Sequence, residues 1–327
     1  MSENPSNNKE YAVQTIDMRV DYGKFVAVNE LCLNVPRGEI YGLIGPNGAG
    51  KTSSFKVLAT LMEPTYGDVF IGGIDISLHP EEARKHLGYM PDLAPIATDL
   101  KVWEFLDLFA SAHGLNRTDR RSRIEECLNK VSLNDKREEF CKNLSRGMMQ
   151  RLVLAKTLIH RPSLFLLDEP ASGMDPVSRQ ALRNTVRELT DGGAAVLLSS
   201  HILSELEDMC TMVGMMSKGI LVDSGKINDV ISRRSSEERN LVISCLGNPM
   251  PLFEFLNNKH GINDIITSNE DIIFTFKGKD DEQAQLITGI IEAGFLIKGL
   301  QERKKSIEQI LLEIDSNTST QKPEQNQ

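Results

Sequence analysis

A glycine-rich segment that ends in a lysine and a threonine points most clearly to chemistry. Residues 45–52 read Gly-Pro-Asn-Gly-Ala-Gly-Lys-Thr, which fits the pattern G-x-x-x-x-G-K-[ST]. In this pattern backbone N–H groups surround phosphate oxygens, the lysine reaches the β- and γ-phosphates and the threonine hydroxyl ligates Mg²⁺. The sequence therefore predicts a site for ATP or another nucleoside triphosphate with Mg²⁺. The predicted binding residues are Gly45, Pro46, Asn47, Gly48, Ala49, Gly50, Lys51, Thr52 and Ser53.

The segments on either side of this loop have the residue patterns of a strand and a helix. Residues 39–44 are a short apolar run, and residues 52–62 are amphipathic without Pro or Gly, so the order strand, loop, helix is predicted. A chance glycine-rich turn is the alternative. The loop alone also leaves kinases, GTPases and many ATPases open.

A second motif places two carboxylates at the end of an apolar run. Residues 163–168 are apolar up to Asp168, and Glu169 follows directly. At the carboxyl end of a strand, Asp168 would hold the Mg²⁺ shell through water, and Glu169 would orient and deprotonate an attacking water. We predict catalytic roles for Glu169 and Lys51. The alternative is a buried strand that runs into an acidic turn.

Between these motifs, residues 144–151 read Leu-Ser-Arg-Gly-Met-Met-Gln-Arg and open an apolar-striped helix. Residues 171–176 read Ala-Ser-Gly-Met-Asp-Pro, and residues 199–201 read Ser-Ser-His after another apolar run. Together with the phosphate loop and the carboxylate pair, this ordered set resembles the ATP-binding subunit of an ABC transporter.

The resemblance implies a homodimer that shares its ATP sites. Ser145 and Gly147 would contact the γ-phosphate of ATP on the opposite subunit, and Asp175 would couple the two sites. The position of His201 implies a catalytic contact with the γ-phosphate, and that of Tyr22 implies stacking on adenine. The alternatives are an ordinary helix cap for Ser145, a core or surface histidine for His201 and a hairpin tyrosine for Tyr22.

Two positions depart from the commonest pattern of that family. Asp92 stands where the family usually has Gln, and Arg146 replaces the first of two glycines. Asp92 could ligate the metal, or it could repel the γ-phosphate until its loop moves. Because the Ser145 and Gly147 contacts remain available, we expect a working site.

The resemblance predicts an α/β P-loop fold of ABC type over residues 11–233, with a helical subdomain at about 93–160. Residues 93–131 are predicted to be helical. In the family the start of this segment receives a coupling helix of a transmembrane permease, which makes Trp103 a candidate contact. A core position for Trp103 is the alternative.

The hydrophobic pattern restarts after a polar linker at 234–240. Residues 241–315 predict a small α+β domain of βαββαβ order, ferredoxin-like, with a last helix carrying Ile307, Ile310, Leu311 and Ile314. The role predicted for it is regulation or dimer stabilisation, with plain stability as the alternative. Residues 1–10 and 316–327 are predicted to be disordered because they are polar.

The chain has 327 residues and a net charge of −9. Its composition argues against a membrane channel, a secreted protein, a zinc or redox protein and a nucleic-acid-binding protein. Apolar runs fall short of the ~20 residues that span a bilayer, and the polar N-terminus predicts no secretory signal. The five cysteines form no C-x-x-C pair, which indicates reduced thiols. The acidic balance disfavours nucleic acid.

We therefore predict an ATPase subunit that powers export through a separate transmembrane permease, at the inner face of the cell membrane. The export direction comes only from the resemblance to the multidrug and antibiotic exporter branch. The alternatives are a soluble ABC-type ATPase without a membrane partner and an ATP-binding scaffold that does not hydrolyse.

Overall fold

The computed structural model describes residues 10–200, 209–234, 238–269 and 271–303. The chain separates into two compact units, with the boundary between Ile227 and Asn228. The first unit contains the phosphate loop. In the second unit a strand begins at Glu238, inside the 234–240 segment predicted as a linker.

Strands and helices follow one another along the first unit. Its strands are β1 (Tyr11–Tyr22), β2 (Phe25–Leu31), β3 (Asn34–Pro36), β4 (Ile40–Ile44), β5 (Tyr66–Ile71), β6 (Ile74–Asp75), β7 (Leu87–Met90), β8 (Leu164–Asp168), β9 (Ala195–Ser200), β10 (Met212–Ser217) and β11 (Ile220–Lys226). Its helices are α1 (Lys51–Leu58), α2 (Pro80–His86), α3 (Val102–Ala112), α4 (Arg117–Lys130), α5 (Arg146–Leu158) and α6 (Pro176–Asp191), and α7 (Ile227–Arg234) begins at the boundary. Among the described residues, no helix has both the length and the apolar character needed to cross a membrane.

The first unit contains a six-stranded sheet with the strand order β11-β10-β4-β9-β8-β7. All neighbours in it pair in parallel except β10 and β11. Every residue of β4, β8 and β9 is buried, as expected for strands covered on both faces. The carboxyl ends of these three strands meet at one edge, where Ile44 pairs with Ser200 and Asp168 pairs with Ser199. The predicted α/β class is confirmed.

A second sheet, which is not predicted from the sequence, is built on the long strand β1. Its order is β2-β1-β5-β6, and β3 also pairs with β1. All of these pairings are antiparallel. The hairpin between β1 and β2 sets Tyr22 opposite Phe25, so this sheet positions two aromatic side chains.

The predicted helix over 93–131 is wrong for its first part. Residues 93–101 form no helix. Pro95 accounts for the difference, because proline has no N–H and disfavours helical backbone at the residue before it. Helix α3 begins only after Lys101, whose N–H donates to Oε2 of Glu104 at 2.9 Å.

A buried arginine links helices α4 and α5. Arg123 is 7% exposed, and its Nε donates to the Ile159 carbonyl oxygen at 2.9 Å, while Nη2 donates to that of Leu158. Its Nη1 lies 2.6 Å from Oε1 of Glu126. The last carbonyls of a helix have no partner within the helix, so Arg123 supplies the donors that the end of α5 needs.

The second unit is a four-stranded sheet packed with two helices. In chain order it contains β12 (Glu238–Cys245), α8 (Met250–Asn257), β13 (Ile262–Ser268), β14 (Asp271–Lys277), α9 (Asp280–Glu292) and β15 (Ile297–Arg303). The strand order is β13-β14-β12-β15, and each neighbouring pair is antiparallel. The core side chains come from the sheet and both helices: Leu241, Ile243, Cys245, Leu252, Leu256, Ile272, Phe274, Phe276 and Ile290.

Some sequence predictions fall outside the described residues. They concern residues 1–9, His201, the last helix with Ile307 to Ile314, and the tail at 316–327. These predictions stay predictions.

Replacing Arg123 with Met should destabilise the first unit by roughly 2–4 kcal/mol, because the carbonyls of Leu158 and Ile159 lose their donors. Arg121, which lies 3.7 Å from Glu125 and is 78% exposed in its side chain, gives the matched control. Arg121→Met should change stability by less than about 0.5 kcal/mol. Chemical denaturation of both variants measures the difference, and equal midpoints would contradict this role of Arg123.

Candidate functional site

The glycine-rich segment forms a loop that directly joins β4 to α1. Gly48 and Gly50 have φ of +82° and +101°, which favour glycine over residues with a Cβ. A Cβ at Gly45 would lie 2.2 Å from the Met216 carbonyl oxygen, and one at Gly50 would lie 2.5 Å from that of Ala27. The loop therefore packs against the backbone of β10 and β2, which fixes its shape.

Lys51 lies inside this loop. It is 6% exposed, and its Nζ donates to the carbonyl oxygens of Gly45 at 2.6 Å and Pro46 at 3.2 Å. Burial lowers the pKa of Lys51, and the nearby carboxylates of Glu169 and Asp168 act in the opposite direction. The ammonium group is thus held where a phosphate group would meet the loop.

Asp168 ends β8 and contacts the phosphate loop. It is 1% exposed, and its Oδ1 accepts a hydrogen bond from Oγ of Ser199 at 2.6 Å. Burial raises the pKa of Asp168 above its ordinary value, and the hydrogen bonds from Ser199 and Thr52 act in the opposite direction without cancelling this effect. The structure therefore joins Thr52 to Asp168, although the two residues come from distant parts of the sequence.

Glu169 turns away from the strand with unusual backbone geometry. Its φ is +50°, which is uncommon for a residue other than glycine. Its N–H donates to Oγ of Ser199 at 2.9 Å, and its carbonyl accepts the N–H of Ser172 at 3.0 Å. This turn brings Glu169 to the cavity beside the phosphate loop.

That cavity has a volume of about 380 Å³, which lies in the range of small-molecule sites. The phosphate loop, the β1–β2 hairpin and the turns after β7 and β8 line it. The predicted residues that it brings together are Tyr22, Asn47, Gly48, Ala49, Gly50, Lys51, Thr52, Ser53, Asp92 and Glu169. The residues that line it without having been predicted are Phe25, Ala27 and Ser172.

Two aromatic side chains stand at the cavity. Tyr22 is 46% exposed and Phe25 is 63% exposed, so both offer ring surface for stacking. The Tyr22 hydroxyl lies 3.4 Å from Oγ of Ser53. A two-residue connection between strands sets its flanking residues opposite one another, so the pattern Tyr-Gly-Lys-Phe at 22–25 could have indicated Phe25.

Asp92 follows β7 and lines the same cavity. Its backbone carbonyl accepts a hydrogen bond from Nε2 of Gln150 at 3.2 Å. Gln150 lies on α5 and is 8% exposed. The cavity wall at Asp92 is therefore tied to the helical part of the unit.

Ser145, Gly147 and Asp175 form a separate group that does not line the Lys51 cavity. Ser145 caps α5 by accepting the N–H of Met148 at 3.3 Å. Asp175 caps α6, and hydrogen bonds from the backbone and side chain of Ser178 hold its pKa below the ordinary value. A Cβ on Gly147 would lie 3.6 Å from Oδ2 of Asp175, so the two capped helix ends lie close together.

Arg146 lies between this group and the cavity. A Cβ on Gly173 would lie 2.5 Å from Nε of Arg146, so the guanidinium packs on the glycine backbone. Its Nη2 reaches Oγ of Ser172 at 3.5 Å. Because Ser172 lines the cavity, Arg146 connects the start of α5 to the wall beside Glu169.

Comparison with known proteins gives a consistent family. A family model described as ABC transporter matches residues 28–172. The chain is 33% identical over 225 residues to the bacitracin transport ATP-binding protein BcrA of Enterococcus faecalis, covering 68% of this chain and 72% of BcrA. It is 32% identical over 230 residues to the Probable multidrug ABC transporter ATP-binding protein YbhF of Escherichia coli. That match covers 70% of this chain but 40% of YbhF, so the chain spans less than half of that relative.

A solved structure described as the dimeric structure of a bacterial ABC transporter cassette has the same fold. It matches with a TM-score of 0.61 and 22% identity, covering 66% of this chain and 98% of the other. The compared part excludes about a third of this chain, since the cassette is shorter.

Replacing Tyr22 with Leu should weaken binding of an adenine nucleotide about tenfold, because a ring that stacks on a base contributes roughly 1–3 kcal/mol. Tyr22→Phe is the matched control, since it removes only the contact with Ser53, and should change the affinity by less than about threefold. Fluorescent ATP titration gives both values. An unchanged affinity in Tyr22→Leu would exclude stacking on this residue.

Proposed function

Because the chain belongs to the ABC transporter family as an ATP-binding subunit, we propose that it binds and hydrolyses ATP to drive transport through a separate membrane protein. One observation carries this proposal. The cavity at the carboxyl edge of the parallel sheet unites a buried lysine, a phosphate loop and the carboxylate of Glu169.

The residues beside the loop fit Mg²⁺ as the resident metal. The Thr52 hydroxyl and the Asp168 carboxylate are hard oxygen donors in hydrogen-bond contact with each other, and Mg²⁺ usually takes one or two such ligands together with phosphate oxygens. When bound, Mg²⁺ would neutralise charge on the β- and γ-phosphates. We assign Thr52 as a direct ligand and Asp168 as a ligand through water.

Each of the other groups has a role in this proposal. The loop N–H groups and Lys51 bind the phosphates, and Tyr22 stacks on the adenine ring. Glu169 accepts a proton from the attacking water. His201, which lies outside the described residues, is proposed to contact the γ-phosphate.

A second copy of the chain would complete the site. Ser145, Gly147 and Asp175 lie apart from the cavity of their own chain, yet α5 begins there with backbone N–H groups that can bind an anion. A structure of the same fold is described as dimeric. We therefore propose a homodimer in which this group closes on the ATP held by the partner copy.

The proposed partner is a transmembrane permease, and the proposed direction is export from the cytoplasmic face of the membrane. The relatives BcrA and YbhF are named for bacitracin transport and as a probable multidrug transporter. No nucleic acid partner is proposed, since the chain carries a net charge of −9.

For the second unit we propose a ferredoxin-like fold with a regulatory or dimer-stabilising role. The order of its strands and helices and its antiparallel sheet support this fold. We propose domain limits of 11–233 for the ATP-binding domain and 241–315 for this second domain.

Replacing Glu169 with Gln should leave ATP bound and trap the closed dimer, because the group that accepts the proton from water is lost. We expect hydrolysis to fall at least about 100-fold. Size-exclusion chromatography with and without ATP measures the shift from monomer to dimer.

The matched control is the double variant Glu169→Gln with Lys51→Ala, which should stay monomeric because its phosphate loop has lost a cation. A dimer that forms equally with and without ATP would contradict closure on nucleotide. Bound ATP without any dimer would contradict the proposed homodimer.

Replacing Asp92 with Gln should raise the basal ATPase rate, on the order of tenfold, because one negative charge near the γ-phosphate is removed. The stimulation by a membrane partner should fall in proportion. ATPase assays of the wild type and of Asp92→Gln, with and without reconstituted permease, measure the basal and stimulated rates. Asp92→Asn is the control, because it removes the charge without lengthening the side chain. Unchanged rates under both conditions would exclude gating by Asp92.

A further inference from the structure

Ser199 lies at the junction of the two carboxylates without lining the cavity. It is fully buried, at 0% exposure, near the carboxyl end of β9. The parallel register sets it opposite Asp168 on β8. In the sequence, Ser199 is the first residue of the Ser-Ser-His string at 199–201.

The hydrogen bonds of Ser199 fix the direction of its hydroxyl. The Glu169 N–H can only donate, and it donates to the Ser199 oxygen at 2.9 Å. The hydroxyl hydrogen is then available for Oδ1 of Asp168, at an oxygen–oxygen distance of 2.6 Å. One side chain thus accepts from the backbone of Glu169 and donates to the carboxylate of Asp168.

This arrangement acts on both neighbours. The bond to Oδ1 holds the carboxyl group of Asp168 from the side of β9, and Thr52 contributes a hydrogen bond to the same carboxyl group. The bond from the Glu169 N–H satisfies a donor at the residue where the chain leaves the β8 ladder with φ of +50°. Left-handed backbone persists at such a residue only where its surroundings hold it.

We propose that Ser199 is a positioning residue for ATP hydrolysis, which holds the metal-binding carboxylate of Asp168 and the backbone of Glu169 in their working geometry. This inference rests on the proposed ATPase function. A buried serine in a strand could instead fill space, but space filling requires no hydroxyl. Ser199 is hydrogen-bonded to both acidic residues of the site. Loss of a hydrogen-bond partner behind a metal ligand typically lowers metal affinity or activity.

The test compares Ser199→Thr with Ser199→Val in the full-length chain. The two side chains are nearly equal in size and branching, but only Thr keeps a hydroxyl, so their difference isolates the hydrogen bonds from the added methyl group. Ser199→Ala, which adds no atoms to the buried position, is the second variant if the larger side chains impair folding. Thermal unfolding of each variant reports its stability.

The first measurement is ATPase kinetics. We expect kcat of Ser199→Val to fall about 10- to 100-fold below that of Ser199→Thr. The affinity for ATP without metal should change less than about threefold, because Ser199 does not line the cavity and the loop that binds the phosphates is intact. Recovery of kcat in the Thr variant separates a positioning hydroxyl from packing.

The second measurement needs no hydrolysis. Electron paramagnetic resonance follows Mn²⁺ binding, as a probe for Mg²⁺, in the presence of a non-hydrolysable ATP analogue. Ser199→Val should bind Mn²⁺ about tenfold or more weakly than Ser199→Thr. Equal Mn²⁺ affinity and equal kcat in the two variants would overturn the proposal, as would equal losses in both.

The two measurements separate this inference from the proposed function. A wild-type chain with no ATPase activity, alone or with a membrane partner, would contradict the proposed function. The Mn²⁺ comparison would then still decide whether the Ser199 hydroxyl supports Asp168. An active wild type with indistinguishable Thr and Val variants would contradict only the role of Ser199.

Discussion

Parallel pairing of β4, β9 and β8 is the constraint on which the site depends. These strands are buried throughout, so their register is fixed by the apolar side chains on both faces. With the register fixed, the phosphate loop after β4, the carboxylates at the end of β8 and Ser199 on β9 meet at one edge. A shift of one residue in β9 would turn Ser199 to the opposite face and remove its hydrogen bonds to both acidic residues.

The parts of the fold that follow from local chemistry could be predicted from the sequence. The loop at 45–52 has its strand and helix where expected, because glycine conformation, helix start and apolar run are properties of neighbouring residues. The helix predicted over 93–131 is wrong at 93–101, because Pro95 disfavours helical backbone there. The antiparallel sheet on β1 was not predicted, because its pairings join segments far apart in the sequence. The role proposed for Ser199 could not be predicted from the sequence either, because it depends on the register of β9 against β8, which are also far apart in the sequence.

Two departures from the usual family pattern have structural neighbours that explain how the chain accommodates them. Arg146 does not disturb the start of α5, because its guanidinium packs on Gly173, which has no side chain in the way. Asp92 keeps a backbone bond to Gln150 of α5, so its carboxylate is free to differ from an amide without loss of that link. At Asp92 the backbone contact is separate from the side-chain chemistry, whereas at Arg146 the side chain itself finds a place on the glycine backbone.

The hydrogen bonds of Lys51 bear on which ligands the cavity selects. Its ammonium group has two carbonyl acceptors within the loop, so the position of its charge is set before a ligand binds, and an ammonium has a third N–H to donate. Under the proposed function, phosphate oxygens at the β- and γ-positions would offer Lys51 a stronger, charged acceptor. A nucleoside monophosphate offers none there and leaves the lysine bound to its own loop. If the proposed function holds, the loop would discriminate by the length of the phosphate chain, independently of any contact with the base.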